Sequence, residues 1–203
     1  MPGKKAAKDA RRAQILRAGH QVASRVGLDR LTVRLVAAKA RLSSGLVHFY
    51  FKTKERLLAA LLVDVLKTTP VRHITQDIAW MKSPLGRLRT LLGRELKRIF
   101  GDPRRIRLFF EYLVRGFRQP LIRANIAADL RKQRDAFLPT AEALLASDPD
   151  RFPNVTAEGI AAVAVGVIEG AAVQSVADPK HFDADGYAAA AKGLLEPPHS
   201  NAS

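Results

Sequence analysis

From Ile15 onward the apolar residues of this chain return every three or four positions, and capping residues cut the run at short intervals. Ile15, Ala18, Gly19, Val22, Ala23 and Val26 share one helical face, and Gly27 follows as the stop. Thr32 is placed to cap a short second helix whose apolar face is Val33, Val36, Ala37 and Ala40. Ser43 caps a third, carrying Leu46, Val47, Tyr50 and Phe51, and Thr53 a fourth, with Leu57, Leu58, Leu61, Leu62, Val65 and Leu66 in step up to Thr68. Pro70 either ends that helix or kinks it, because Ile74, Ile78 and Met81 resume the period. No stretch alternates with period two for long enough to suggest a sheet, so the fold class is all-α. Three short helices, two of them joined by a tight turn, make a helix-turn-helix unit. In such a unit the second helix holds the third so that its outer face can enter a major groove about 12 Å wide. Ala37, Ala40 and Gly45 are small enough to let those two helices approach closely.

Helical spacing continues over residues 84–100, 103–117, 120–146, 156–177 and 183–196. The first three open near Pro84, Pro103 and Pro120, where a missing N–H does no harm. Pro139 should kink or divide the third of them. Residues 1–8 and 197–203 read as loose tails, the first of them basic.

Charge is unevenly spread. Residues 1–56 hold 14 Lys and Arg against three acids, a net of +11; residues 57–147 carry +9 and residues 148–203 carry −5. A basic head of this size points to a polyanion, either nucleic acid or an acidic membrane surface. The basic start, through Arg12, has no apolar signal core, and Glu169 interrupts the most apolar stretch, 159–177, so a soluble, intracellular (cytoplasmic) protein is expected. The absence of cysteine excludes disulfides, thiolate zinc sites and a cysteine nucleophile. His73 and Asp77 have the only metal-like spacing, and two ligands do not make a site, so neither metal nor cofactor is expected. No Gly-rich phosphate loop, serine elbow or supported carboxylate pair is present, which leaves catalysis without residues.

The run from Thr32 to Leu57, TVRLVAAKARLSSGLVHFYFKTKERL, resembles the head of TetR-type transcriptional repressors. Arg12, Ile15, Leu16, Ala18 and Gly27 fall where that family has its first helix and glycine stop. Val167-Ile168-Glu169-Gly170, followed by Asp178-Pro179, is similar to the family's second-last helix. Three positions depart from the pattern: Arg41 stands at the turn glycine, His48 where many members have tyrosine, and Ser44 where they have a charged residue.

The resemblance implies a DNA-binding head over residues 9–69, with its motif at 32–51, joined by the long fourth helix to an effector-binding and dimerisation body over 70–196. Implied DNA contacts are Thr32, Arg34, Ser43, Ser44, Gly45, Leu46, His48, Phe49, Tyr50, Lys52 and Lys54, with Lys54 on a phosphate and Tyr50 serving as core or as contact. Phe51 reads as core. Lys4, Lys5, Lys8, Arg11 and Arg12 form an arm attracted to phosphates. The body is expected to enclose a small apolar or amphipathic effector with Trp80, Phe100, Phe109, Phe110, Leu113, Phe117, Phe137, Val165 and Glu169. Glu169 either pairs with an arginine such as Arg107 or Arg115 or meets a cationic ligand. Helices 156–177 and 183–196 would pair across a two-fold axis in a homodimer that meets a palindromic operator on double-stranded DNA. The expected function is a ligand-responsive repressor, with motion of the fourth helix as the link. The alternative is a nonspecific nucleic-acid-binding architectural protein.

Overall fold

The computed structural model describes residues 2–67, 77, 78 and 80–195. Pro70, His73, Ile74, Glu196 and the C-terminal tail lie outside the described residues. Among those described, the elements are α1 (Pro2–Arg30), α2 (Val33–Ala40), α3 (Ser44–Phe51), α4 (Lys54–Lys67), α5 (Pro84–Phe100), α6 (Pro103–Gly116), α7 (Pro120–Ser147), a 3-10 turn (Pro149–Arg151), α8 (Ala157–Ala177) and α9 (Ala184–Gly193), with no strand.

Two compact units result: Met1–Thr69 with Arg107–Asp129, and Pro70–Ile106 with Leu130–Ser203. The division passes through α6 and α7, so residues 107–129, expected in the body, group with the head.

In the first unit α1 packs on α2 and α4, and α3 on α2 and α4. Ile15, Leu31, Val36, Val47, Leu57 and Leu61 are sealed from solvent, an apolar burial worth about 1.5–3 kcal/mol for each large side chain. Gly19 sits at the α1–α4 crossing: a Cβ there would lie 2.7 Å from Cδ2 of the fully buried Leu61. Gln14 donates from Nε2 to the Ala40 carbonyl at 2.8 Å, and His20 meets Asp64 at 2.9 Å, so α1 is also tied to α2 and α4 by polar contacts.

The stop at Gly27 is real but local. Its φ of 76° and ψ of 167° break α1, and helix resumes to Arg30. That conformation is open to glycine and strained for any L side chain. The basic arm differs from the loose tail expected of residues 1–8: α1 already begins at Pro2. Its alanine, lysine and arginine content favours helix, and no breaker separates it from the amphipathic part.

In the second unit α5 packs on α8 and α9, and α9 on α8. Leu88, Leu91, Leu92, Leu96 and Ile99 fill one face of α5. Tyr187 of α9 donates its hydroxyl to the Val167 carbonyl of α8 at 2.9 Å, and the Phe182 ring stands between those of Phe100 and Tyr187. α7 is not divided at Pro139 and runs as one helix to Ser147. Burial of Phe137, Thr140, Ala141 and Leu144 on both sides of the proline outweighs the one hydrogen bond it removes. Glu169 does not disqualify α8 as a spanning helix: by length and composition alone Ala157–Ala177 could cross a membrane. Its Ala161, Ala164, Val165, Ile168, Ala171 and Ala172 are buried, and it packs on α5 and α9, which is the setting of a core helix.

Candidate nucleic-acid interface

The caps expected in the head are all made. Thr32 Oγ1 accepts from Leu35 N–H at 3.2 Å, Ser43 Oγ from Leu46 N–H at 3.1 Å, and Thr53 Oγ1 from Arg56 N–H at 3.2 Å. Each satisfies a backbone donor that a helix N-terminus leaves open, and each such cap stabilises by about 1 kcal/mol. Backbone and Thr53 hydrogen bonds hold the Glu55 carboxyl below the usual carboxylate range at the start of α4.

Between α2 and α3 the chain turns through Arg41 at φ 55°, ψ 46°, the left-handed conformation for which glycine is the usual choice. Leu42 N–H returns to the Ala37 carbonyl at 2.9 Å and closes the turn. A short, sharp corner results, and it sets the angle of α3. Val47 and Phe51 bury one face of α3. The opposite face presents Ser44, Gly45, His48 and Phe49, all exposed, with Phe49 at 61%. Leu46 and Tyr50 are half-buried at the margins.

One small residue does not do what its size suggested. Ala37 and Ala40 are buried where α2 meets its neighbours, but Gly45 is exposed, and a Cβ there would meet only Ser43 Oγ at 4.0 Å. Gly45 therefore plays no part in the helix crossing. Its position two residues past the Ser43 cap turns it outward, which leaves bare backbone on the open face.

The α3–α4 junction is unusual. Lys52 has φ 60° and ψ −49°, and Thr53 N–H bonds the Phe51 carbonyl at 2.6 Å. This is the positive-φ γ-turn, a rare and strained corner. Lys52 N–H is held by the His48 carbonyl at 2.8 Å, and the Lys52 carbonyl accepts from His48 Nδ1 at 3.2 Å. Its ammonium lies 5.5 Å from the centre of the Phe49 ring. Lys54 reaches back to the Asp29 carbonyl at 3.4 Å, so it joins α4 to the end of α1. Arg12 lies 5.5 Å from the centre of the Phe51 ring, so one cation of the N-terminal arm packs on the head's own core. Thr32 and Arg34, at the start of α2, are exposed.

The comparisons with known proteins bear on this arrangement. The pattern described as "Bacterial regulatory proteins, tetR family" matches residues 15–61. The pattern described as "BetI-type transcriptional repressor, C-terminal" matches residues 84–197, more than half of the chain. The chain belongs to the TetR family. It is a helix-turn-helix, DNA-binding transcriptional regulator, and the family's members are not enzymes. Among its TetR-family relatives, the HTH-type transcriptional regulator BetI of Stenotrophomonas maltophilia is 29% identical over 156 residues, 71% of this chain and 77% of that one. BetI of Burkholderia ambifaria is 33% identical over 86 residues, spanning 42% of this chain and 44% of the relative. In fold, a transcriptional regulator from Pseudomonas aeruginosa aligns with a TM-score of 0.75 at 17% identity over 92% of this chain and 91% of that one. FadR of Bacillus subtilis, solved with stearoyl-CoA, aligns at 0.68 and 18% identity over 90% and 96%.

The effector residues expected of this TetR chain are only partly gathered. Phe109 and Phe110 lie edge to face at 5.8 Å, and Phe100 pairs instead with Phe182 at 5.9 Å. Phe137 and Val165 are buried; Leu113 and Glu169 are half-buried. Trp80 and Phe117 depart from expectation, standing 80% and 75% exposed. Trp80 is held outward by its own Nε1–H bond to the Asp77 carbonyl at 2.8 Å, before α5 begins. Phe117 follows the last turn of α6, beside the equally outward Val114. Arg115 pairs with Asp29. Among the described residues no group of three metal-ligand side chains occurs, and His73 lies outside them.

Two features of the site were not anticipated from the sequence. Glu111 Oε2 accepts the Leu28 N–H at 2.9 Å, immediately after the break at Gly27. Together with the Arg115–Asp29 pair it fastens α6 to the end of α1, across more than eighty residues of sequence. Glu95 is buried in α5, its Oε2 held by Arg98 at 2.7 and 2.9 Å while Oε1 has no partner. Nothing in the sequence signals the first feature. The second was visible as a carboxylate in the apolar stripe Leu88, Leu92, Ile99.

Proposed function

We propose that this chain is a homodimeric, cytoplasmic repressor that reads a palindromic operator with α3 and is released by a small apolar or amphipathic effector. The observation that carries the reading is the exposed face of α3, Ser44, Gly45, His48 and Phe49, mounted on a capped head of net charge +11. A nonspecific polyanion binder needs the charge but not the rigid, capped helix.

Release by a ligand is supported by α6. Glu111 holds the Leu28 N–H of the head, and the next residue, Tyr112, is 0% exposed with no hydrogen-bond partner for its hydroxyl. Burial pushes that hydroxyl's pKa up, the Glu111 charge adds to the shift and Arg115 opposes it, so the group stays a neutral donor. An unsatisfied buried hydroxyl costs about 1–3 kcal/mol, which a polar group of a bound effector would recover. An effector that favours one position of α6 thereby biases the head through Glu111, as a ligand can shift only an equilibrium whose two states it binds differently. This route makes α6, rather than α4 alone, the link.

Dimerisation is supported by the outer face of α8. Val163, Gly166, Gly170, Val173 and Ala177 recur at steps of three and four, and Val163 and Val173 are exposed although apolar. A stripe of that spacing on a helix already buried on its other face suits a second copy of the same helix.

Footprinting on DNA flanking the protein's own coding region tests the reading. Protection of an inverted repeat, lost on adding an effector, is the expected result. Equal binding to random duplex would instead leave the architectural alternative.

A further inference from the structure

The side chain at the centre of the α3 face is a histidine, and its hydrogen bond points to the nitrogen that carries the proton. His48 Nδ1 lies 3.2 Å from the Lys52 carbonyl oxygen. A carbonyl oxygen only accepts, so Nδ1 is the donor of that bond. A neutral imidazole has a single N–H, so Nε2 of this exposed residue is left as a bare lone pair. The γ-turn at Lys52 makes this possible: its positive φ and the Thr53–Phe51 bond bring the Lys52 carbonyl back to the His48 ring. Lys52 N–H on the His48 carbonyl holds the same two residues together a second time. The Lys52 ammonium is placed over Phe49, so it is drawn toward that ring.

We propose that His48 is a specificity-determining residue that reads the exocyclic amino group of adenine or cytosine through an Nε2 acceptor. The major-groove edges of adenine and cytosine offer N6 and N4 amino donors, whereas guanine and thymine offer O6 and O4 acceptors. A lone pair aimed at the groove attracts the first two bases and is repelled by the others. The contacted strand should therefore carry an amino base, with either ring size tolerated. A tyrosine at this position, able both to donate and to accept, makes no such choice.

The inference rests on the proposal that α3 reads an operator, and the experiment separates the two. Selection from a randomised duplex library is run with the wild-type chain and with His48→Ala, an exposed substitution that leaves the core of α3 alone. The wild type should enrich a palindrome in which one position per half-site is adenine or cytosine, and His48→Ala should flatten that position only. Replacing its base by the analogue without the amino group, purine for adenine or pyrimidinone for cytosine, should weaken wild-type binding about three- to tenfold and leave His48→Ala unaffected. If the flattened position holds guanine or thymine, or if no position changes, the role given to His48 is wrong while operator reading stands. If neither protein enriches a motif, operator reading itself fails and takes this role with it. Nitrogen-15 spectra of the wild-type chain give a second readout: the His48 proton on Nδ1 is expected, and a proton on Nε2 overturns the assignment.

Discussion

The head and the α8–α9 end of the second unit are built from the same kind of helix, yet their functional features arise at different sequence distances. In the head, Thr32, Ser43 and Thr53 each act on a backbone N–H three residues ahead, and Arg41 and Lys52 each set one corner. At the other end, what matters is a face: the outer stripe of α8, with Val163 and Val173 exposed, on which the proposed second copy would pack. The two regions also differ in charge, +11 over residues 1–56 against −5 over residues 148–203. If local chemistry makes the proposed reading surface and an apolar face makes the proposed dimer, the two should respond to different perturbations.

Salt is the broadest way to break that contrast. Each phosphate neutralised by the head contributes a slope of about −0.9 to log K against log salt, so two heads should give roughly −4 or steeper. A fourfold rise in salt then weakens DNA binding about 250-fold. The apolar seam should be little changed over the same range, which sedimentation of the free protein can follow. A flat salt response of DNA binding, or a dimer that falls apart with it, would erase the distinction.

A single substitution at the seam should cost almost as much. Gly166 is exposed on α8, and a Cβ there meets nothing of its own chain within 4 Å. Gly166→Arg therefore leaves the protomer's packing intact while placing a charge on the proposed two-fold contact. Gly170 is a poorer probe, because a Cβ there lies 3.5 Å from the Tyr187 hydroxyl that bonds Val167. Loss of the second head removes the gain from bivalent binding, so operator affinity should fall about a hundredfold or more. Analytical ultracentrifugation reports monomers if the stripe is the seam; a variant that stays dimeric moves the seam elsewhere.

Glu111→Ala tests the connection between α6 and the head. It strips the acceptor from the Leu28 N–H, and a part-buried donor left unpaired costs about 1–3 kcal/mol. Amide exchange at Leu28 should speed up about tenfold or more, while Glu111→Gln, which keeps an oxygen acceptor, should restore most of the protection. The exposed Arg115–Asp29 pair cannot substitute for it, because Asp29 is 94% exposed at its side chain and such pairs contribute little. If exchange at Leu28 is unchanged in Glu111→Ala, α6 does not hold the head.

These differences also explain what the sequence disclosed. The caps were legible because donor and acceptor lie within one helical turn, and a serine or threonine before an apolar run has few other uses. Phe51 was legible as core because Val47 stands one turn before it. The Glu111–Leu28 bond was not, since no local pattern links residues 83 apart. Trp80 and Phe117 misled because aromatic content gives burial on average, whereas an adjacent carbonyl or a helix end decides it for one ring. Gly45 misled in the same way: size was visible, direction was not.

The smallest expected effect lies at a corner the sequence did disclose. Arg41 occupies the position where the family has glycine, and it adopts the left-handed conformation that position demands, φ 55° and ψ 46°. For a residue with a Cβ that conformation costs about 1–2 kcal/mol, and glycine gives part of it back through the greater freedom of its unfolded chain. Arg41→Gly should therefore stabilise the head by about 0.5–1 kcal/mol, seen as a higher denaturation midpoint with an unchanged slope. Lys52 offers the control, because its φ of 60° comes with ψ of −49°, the γ-turn that its carbonyl shares with His48. Lys52→Gly relieves strain there too, but it also frees the carbonyl that holds the His48 ring. Both variants should be more stable, and only Lys52→Gly should blur the base choice at the His48 position. If the two behave alike in operator selection, the corner at Lys52 is a connector and nothing more.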